Sequence, residues 1–171
     1  GAMSAEIFAL LFTLMLQHPS GPAVVINRGN HECMSLNSSR CGGFQDELVT
    51  KYGGEWGPYL HGLFGQVFAL LPMCTLIDES VLVIHGGVGR DPEQQLSLLQ
   101  QLPDECREPS VNPWGIEGDP HVEAMEDALW ADPGDLNGSR ANTRGNSHIW
   151  GPDFTERFFT ANPSLSLLVR S

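Results

Sequence analysis

The residues Asn27-Arg28-Gly29-Asn30-His31-Glu32 gather a guanidinium, two amides, an imidazole and a carboxylate around one glycine. They follow the apolar run Val24-Val25-Ile26, which reads as a short buried strand ending in a tight loop. Strand ends are rigid places from which to project reactive side chains. A second junction of this kind lies where Val81-Leu82-Val83-Ile84 runs into His85-Gly86-Gly87, whose glycines would let the backbone pass close to a ligand or metal. Asn30 and His85 offer an amide oxygen and a neutral imidazole, donors that suit a mid-series divalent ion such as Mn²⁺, Fe²⁺ or Zn²⁺. A two-metal site activates a water and stabilises the charge of an in-line displacement, and His31, beside a ligand but itself unbound, is placed as general acid for a leaving alkoxide. Arg144, in the loop Asn142-Thr143-Arg144-Gly145, carries the planar fork that binds phosphate oxygens in pairs. The residues alone reach no further than a metallohydrolase, because each of His31, His85 and Arg144 taken singly reads equally as an ordinary hydrogen-bonded or solvated side chain.

The elements that must hold these groups alternate between helix and strand. Ile7 to Leu16 is apolar on every side, which predicts a helix covered all round, capped by Ser4 and stopped at His18-Pro19-Ser20-Gly21-Pro22. A polar, irregular stretch is expected from the hexapeptide to about Gly43. Two helices follow: one carries Phe44, Leu48 and Tyr52 and ends at Gly53-Gly54, and the other carries a core stripe of Trp56, Leu60, Leu63, Phe64, Val67, Phe68 and Leu71, with Pro58 in its first turn and Pro72 marking its end. Residues 73–77 and 81–84 predict a hairpin. Asp91-Pro92-Glu93 opens a helix to Leu102, residues 103–120 form an irregular excursion, and a short helix near 122–128 leads to Leu129-Trp130-Ala131-Asp132-Pro133. Residues 134–148 read as a long polar loop, Asp153 as the cap of a helix bearing Phe154 and Phe158, and Leu165 to Val169 as a last strand ending at Arg170-Ser171.

With 171 residues, 41% hydrophobic and 18% charged, the chain is large enough for one soluble domain with a real core. Its net charge of −12, from 21 acids against 9 bases, argues against a general binder of nucleic acid or anionic membrane, which needs clustered Lys and Arg. Cys33, Cys41, Cys74 and Cys106 form no C-x-x-C pair, so they read as separate thiols in a reducing compartment, cytoplasmic or nuclear. Cys33 adjoins the hexapeptide and would be redox-sensitive if a nearby cation lowered its pKa. The Ile7–Leu16 run is too short to span a bilayer and lacks a basic segment before it. Gly1-Ala2-Met3 resembles a protease-cleavage scar and is set apart from residues 4–171.

The hexapeptide, then Phe44, Glu47 and Lys51-Tyr52-Gly53, then Phe64 to Pro72, Val83 to Gly87 and Leu129 to Pro133, occur in an order that resembles the phosphoprotein phosphatase family of Ser/Thr phosphatases, within the calcineurin-like metallophosphoesterases. Asn142 to Gly145, Gly151-Pro152-Asp153 with Phe158, and Leu168 to Ser171 continue the match, with loop lengths closest to the EF-hand-linked or tetratricopeptide-linked branch. The resemblance implies an α/β fold of two packed β-sheets flanked by helices. It implies hydrolysis of phosphoserine and phosphothreonine in proteins by metal-activated water, with two divalent ions (Mn, Fe or Zn) and with phosphoprotein substrates and regulatory domains or subunits as partners. Asn30 and His85 would be ligands of the second metal, with Asn30 also touching phosphate. His31 would protonate the leaving oxygen, Arg144 would clamp the phosphate and Asp132 would stand at the cleft edge, with Arg28 and Glu32 supporting from behind. Val88 departs mildly from the Leu common in relatives.

The family's Gly-Asp-x-His-Gly and Gly-Asp-x-Val-Asp-Arg-Gly motifs are absent, and the chain stops one residue before the expected last metal histidine. Residues 4–171 therefore read as a catalytic domain incomplete at both ends. Two rival readings stand beside this one, a non-catalytic regulatory or interaction module made from a phosphatase and a dinucleotide polyphosphate hydrolase of the same superfamily. The expectation is little or no turnover by these residues alone; manganese-dependent hydrolysis of p-nitrophenyl phosphate by this chain, abolished in His85→Ala, would contradict it.

Overall fold

Residues 2–17, 21, 24–38, 43–103, 118–144 and 147–171 are described by the computed structural model. They divide into two units, Gly1–Ile26 with His31–Leu71, and Asn27–Asn30 with Pro72–Ser171.

The first unit is helical. Helix α1, Ser4–Leu16, begins one residue earlier than expected, so Ser4 is its first helical residue and Met3 holds the cap position without a side-chain bond. The cap is supplied from a distance, by the Glu47 carboxylate accepting the Ala5 N–H at 2.9 Å. Ile7, Leu10 and Leu16 are exposed, so α1 is not covered all round. Val24-Val25-Ile26 forms no strand: no ladder partner is assigned to it among the described residues, and Val25 is exposed. Where irregular chain was expected, a single 3₁₀ turn, Asn30–Glu32, and a short helix α2, Met34–Asn37, follow instead.

Helix α3, Phe44–Leu70, is broken at Gly53, whose φ of 84° leaves the helical region at the glycine expected to end the first of two helices. Phe8 of α1 meets Phe44, Phe64 and Phe68, and Phe12 meets Phe64, with ring centroids 5.0 to 6.1 Å apart. The expected aromatic stripe is only half core. Phe68 and Leu71 are buried, but Trp56 is 58% exposed and Leu63 and Val67 also face outward. The buried side of this segment is instead marked by its smallest residues: a Cβ on Gly57 would stand 2.6 Å from the Val49 Cα, and one on Gly65 2.5 Å from the Met34 sulfur. Close backbone approach at the glycines rotates the large side chains away.

The second unit is built on two three-stranded sheets. Strands β1 (Cys74–Ile77) and β2 (Val81–Ile84) form the expected antiparallel hairpin, and a last strand, β6 (Leu167–Arg170), lies parallel to β2, two residues later than the pattern suggested. Asp91-Pro92-Glu93 is a turn, after which helix α4 is confined to Gln95–Gln100. Helix α5, Pro120–Trp130, is capped by Asp119, which accepts the His121 N–H at 2.8 Å. Met73, Ile84, Leu99, Val122, Met125 and Leu129 form one core cluster. Leu82, Val88, Trp150, Phe154, Phe158 and Leu165 form another.

The predicted polar loop 134–148 holds one short strand and ends in another, and its remaining described residues are bends and irregular chain. Strands β3 (Asp132–Pro133), β4 (Ser139–Ala141) and β5 (His148–Trp150) pair in the order β3-β5-β4. All of β4 is exposed, so no apolar alternation announces it. In the final helix α6, Pro152–Ala161, Gly151 holds the cap position. Asp153 lies inside the first turn, and its carboxylate accepts the Gly138 N–H at 2.9 Å instead of capping its own helix. The fold is mixed α/β with two small sheets and helices, in agreement with the expected class. Most of the excursion at 103–120 and the stop at 18–22 lie outside the described residues, among which no helix is long and apolar enough to cross a membrane.

Glu47 joins α1 to α3. Burial opposes its ionisation, but the Ala5 N–H and the Lys51 ammonium at 2.8 Å outweigh that and hold its pKa at about 2, below the ordinary 4.5. A carboxylate depressed on folding contributes stability above its unfolded pKa and loses it as pH falls through the folded value. Thermal melts followed by circular dichroism are therefore expected to fall between pH 4.5 and 2, and Glu47→Gln to flatten that slope while losing about 1–3 kcal/mol at neutral pH.

Candidate active site

Asn27 stitches the first motif onto the hairpin. Its side-chain N–H donates to the Val83 carbonyl at 2.9 Å and its oxygen accepts the Thr75 hydroxyl at 2.5 Å, while the Arg28 N–H donates to the Pro72 carbonyl at 2.8 Å. Asn30 is thereby carried to the end of β2, where its Oδ1 lies 3.1 Å from the His85 Nε2. The parallel register pairs Ile84 with Arg170, so the next residues on each strand are neighbours too, and the Ser171 Oγ lies 2.9 Å from the His85 Nδ1. With one ring nitrogen oriented by a hydroxyl and the other facing an amide oxygen, Asn30 and His85 fit two positions in the ligand set of a borderline divalent ion. Among the described residues, no three His, Cys, Asp or Glu side chains group closely enough to hold one.

Gly86 and Gly87 do not make room for a ligand, as the sequence suggested. A Cβ on Gly86 would stand 2.6 Å from the Asp127 carbonyl at the end of α5, and one on Gly87 would stand 2.0 Å from a carbon of the Trp150 ring. The glycines allow the turn after His85 to lie flat against α5 and β5.

Helix α5 delivers Asp132 to a second polar centre. Its Oδ1 accepts Arg170 Nη2 at 2.9 Å, and its Oδ2 accepts Asn142 Nδ2 at 2.9 Å and pairs with Arg144 Nη2 at 3.3 Å. Burial works against ionisation of this carboxyl, yet the Asn142, Arg170 and Arg144 donors prevail and hold its pKa below the usual range. Asn142 also donates to the Trp130 carbonyl at 3.1 Å and accepts the Arg144 N–H at 3.0 Å, fixing the start of the arginine loop. The Arg144 side chain remains 63% exposed, so one edge of its fork is anchored and the rest faces solvent. Arg170 links the two centres: its Nε donates to the Gly86 carbonyl at 2.6 Å while Nη2 holds Asp132, and its guanidinium lies 5.9 Å from the Trp150 ring centroid.

Asn30 is thus brought to His85, and Asp132 to Arg144. Arg28 is buried and Glu32 half-buried, while His31, next to Asn30 in sequence, is exposed and belongs to the helical unit. Gly145 lies outside the described residues. Sequence reasoning passed over Asn142 and Arg170 as site residues, although both stand within quoted motifs; a polar residue ending an apolar strand was the available signal for Arg170. It also missed a buried cluster beside the site, in which Asp127 accepts the Arg90 N–H at 2.7 Å and the Ser147 hydroxyl at 2.7 Å.

A family model described as calcineurin-like phosphoesterase matches residues 3–171. The serine/threonine-protein phosphatase T of Saccharomyces cerevisiae is 36% identical over 162 residues, covering 95% of this chain and 28% of that protein. The serine/threonine-protein phosphatase 6 catalytic subunit of Caenorhabditis elegans is 38% identical over 173 residues, covering 100% and 46%. A solved protein serine/threonine phosphatase from Saccharomyces cerevisiae, described as similar to human phosphatase PP5, superposes with a TM-score of 0.78 at 35% identity, covering 99% of this chain and 47% of that one. The chain spans less than half the length of each of these relatives.

Removing the Asp132 carboxylate leaves two arginines and an asparagine without their shared acceptor. Asp132→Ala is expected to destabilise the chain by about 1–3 kcal/mol in urea unfolding at pH 7. The difference from the unmodified chain is expected to vanish in acid, because a carboxyl whose pKa is lowered on folding stabilises above its unfolded pKa of 3.8 and ceases to as pH falls through the lowered value.

Proposed function

The chain belongs to the calcineurin-like phosphoesterase family, and on that premise we propose that it supplies one part of the catalytic site of a protein serine/threonine phosphatase, hydrolysing phosphoserine and phosphothreonine in proteins. The observation that carries this reading is the joining of two centres through Arg170: an imidazole and amide oxygen 3.1 Å apart at one strand end, and an exposed arginine fork anchored by Asp132. The names of the relatives support the substrate class.

In this reading Asn30 and His85 hold a divalent ion, for which Mn²⁺, Fe²⁺ and Zn²⁺ suit the donors. Such an ion supplies a water acidic enough to attack at neutral pH and neutralises charge on the phosphoryl oxygens. Ser171, on the far nitrogen of His85, sets the ring's orientation. Arg144 presents its exposed N–H groups to the phosphate while Asp132 fixes the other edge of the fork, so the guanidinium is oriented before substrate arrives. His31 carries the proton that the departing serine or threonine oxygen takes up. Two donors fall short of the four or more ligands a divalent ion takes, so the reading requires others from outside the described residues. The cytoplasm or nucleus is the compartment this function suits, and regulatory domains or subunits are its expected partners.

Nuclear magnetic resonance of the 171-residue chain tests these roles without turnover. Mn²⁺ is expected to broaden the His85 and Asn30 side-chain resonances first, and His85→Ala to weaken Mn²⁺ binding at least about 10–100-fold. A phosphoserine peptide is expected to shift the Arg144 Nε–H resonance. A shift caused by a dinucleotide polyphosphate and not by the peptide would move the assignment to dinucleotide hydrolysis; no response to Mn²⁺ or to either phosphate compound would leave a non-catalytic module.

A further inference from the structure

The helical unit holds a buried polar relay that ends on His31. Asn37, the last residue of α2, and His61, in the second segment of α3, are each 4% exposed. The His61 Nε2 lies 2.6 Å from the Asn37 Oδ1, and the Asn37 Nδ2 donates at 3.1 Å to the main-chain carbonyl of His31. The direction of the relay follows from its far end. A carbonyl only accepts, so the Asn37 nitrogen must face His31 and its oxygen must face His61, and His61 must then carry its proton on Nε2.

We propose that His61, acting through Asn37, is a positioning residue for His31, fixing the main chain from which the imidazole projects. The inference rests on the assignment of His31 as the proton donor. His31 sits in the 3₁₀ turn Asn30–Glu32, a single turn too short to hold its own geometry, so its placement depends on bonds from outside the turn. The His61 ring is buried and lies 6.3 Å from the Phe44 ring, where a phenyl group would fill the space without the penalty of burying polar atoms. What the imidazole adds is the hydrogen bond. Burial pushes the His61 pKa down and keeps the ring neutral, which leaves it a single N–H to give, and Asn37 receives it. General-acid catalysis is sensitive to this kind of support, since a misplacement of about 1 Å costs on the order of 100-fold in rate.

The test uses the full 171-residue chain with carbon-13 and nitrogen-15 labels. His61→Phe keeps the ring volume and removes the donor; it is expected to move the His31 carbonyl ¹³C resonance upfield and the Glu32 amide with it. Asn37→Ala is expected to do the same, and His61→Gln, whose side-chain amide donates from a similar position, to restore the resonances toward their original places. A His31 carbonyl unmoved in both His61→Phe and Asn37→Ala would overturn the proposal, as would a His61→Gln spectrum no closer to the original than that of His61→Phe. Inorganic phosphate separates this from the underlying assignment. In the unmodified chain it is expected to shift the His31 ring resonances, and in His61→Phe to shift them several-fold less. If phosphate leaves the ring unmoved in the unmodified chain, the proton-donor assignment falls while the relay stands; if it shifts the ring equally in both, the positioning role falls while the assignment stands.

Discussion

The parallel pairing of β2 with β6 is the constraint on which the candidate site depends. It makes Ile84 and Arg170 ladder partners, although helices α4, α5 and α6 and a second sheet lie between them in the chain. Parallel strands cannot be joined by a tight turn, so the intervening elements must all be accommodated before the ladder closes. Once it closes, Ser171 stands against His85, and Arg170 reaches Gly86 and Asp132 together. The same register aligns two strand ends in one direction, which is why imidazole, hydroxyl and guanidinium collect there and not at opposite edges of the sheet.

One carboxylate of limited exposure ties distant segments together within each unit, Glu47 in the first and Asp132 in the second. Glu47 accepts an N–H of the first turn of α1, where no side chain at the preceding position does so. Asp132 gathers Asn142 and Arg144 from one loop and Arg170 from the last strand. In both cases burial raises the cost of ionisation and the donors more than offset it, so the carboxyls stay charged. Asp132 takes one edge of the Arg144 fork and leaves the rest of that side chain exposed.

Gly86 and Gly87 were read as places where the backbone passes close to a ligand or metal, but in the fold they approach protein, as do Gly57 and Gly65, which sequence reasoning passed over. Gly86 and Gly87 press the turn after His85 against α5 and Trp150, and Gly57 and Gly65 turn one side of α3 inward while Trp56 faces out. A missing side chain marks tight packing in sequence, yet whether the neighbour is helix, ring or ligand depends on elements far away. The Trp56-to-Leu71 stripe misled for the same reason. Helical spacing shows that residues share a face, and only a packed neighbour makes that face the inner one.

The sequence by itself determined the candidate groups and their local settings. The dense polar hexapeptide, the His85 strand end and the Arg144 loop are contiguous patterns, and the hairpin, the glycine break in α3 and the helix leading to Asp132 follow from short-range periodicity and turn residues. The tertiary structure alone decided which groups meet. Strands as short as β3, β4 and β5 carry too few residues for alternation to show, and Ser4 and Asp153 looked like caps until more distant partners engaged them. Arg170, Asn142 and His61 are ordinary residues in their own neighbourhoods. Their importance comes from hydrogen bonds that span 84, 10 and 24 positions; a bond of that kind is a property of the closed fold, and no local pattern encodes it.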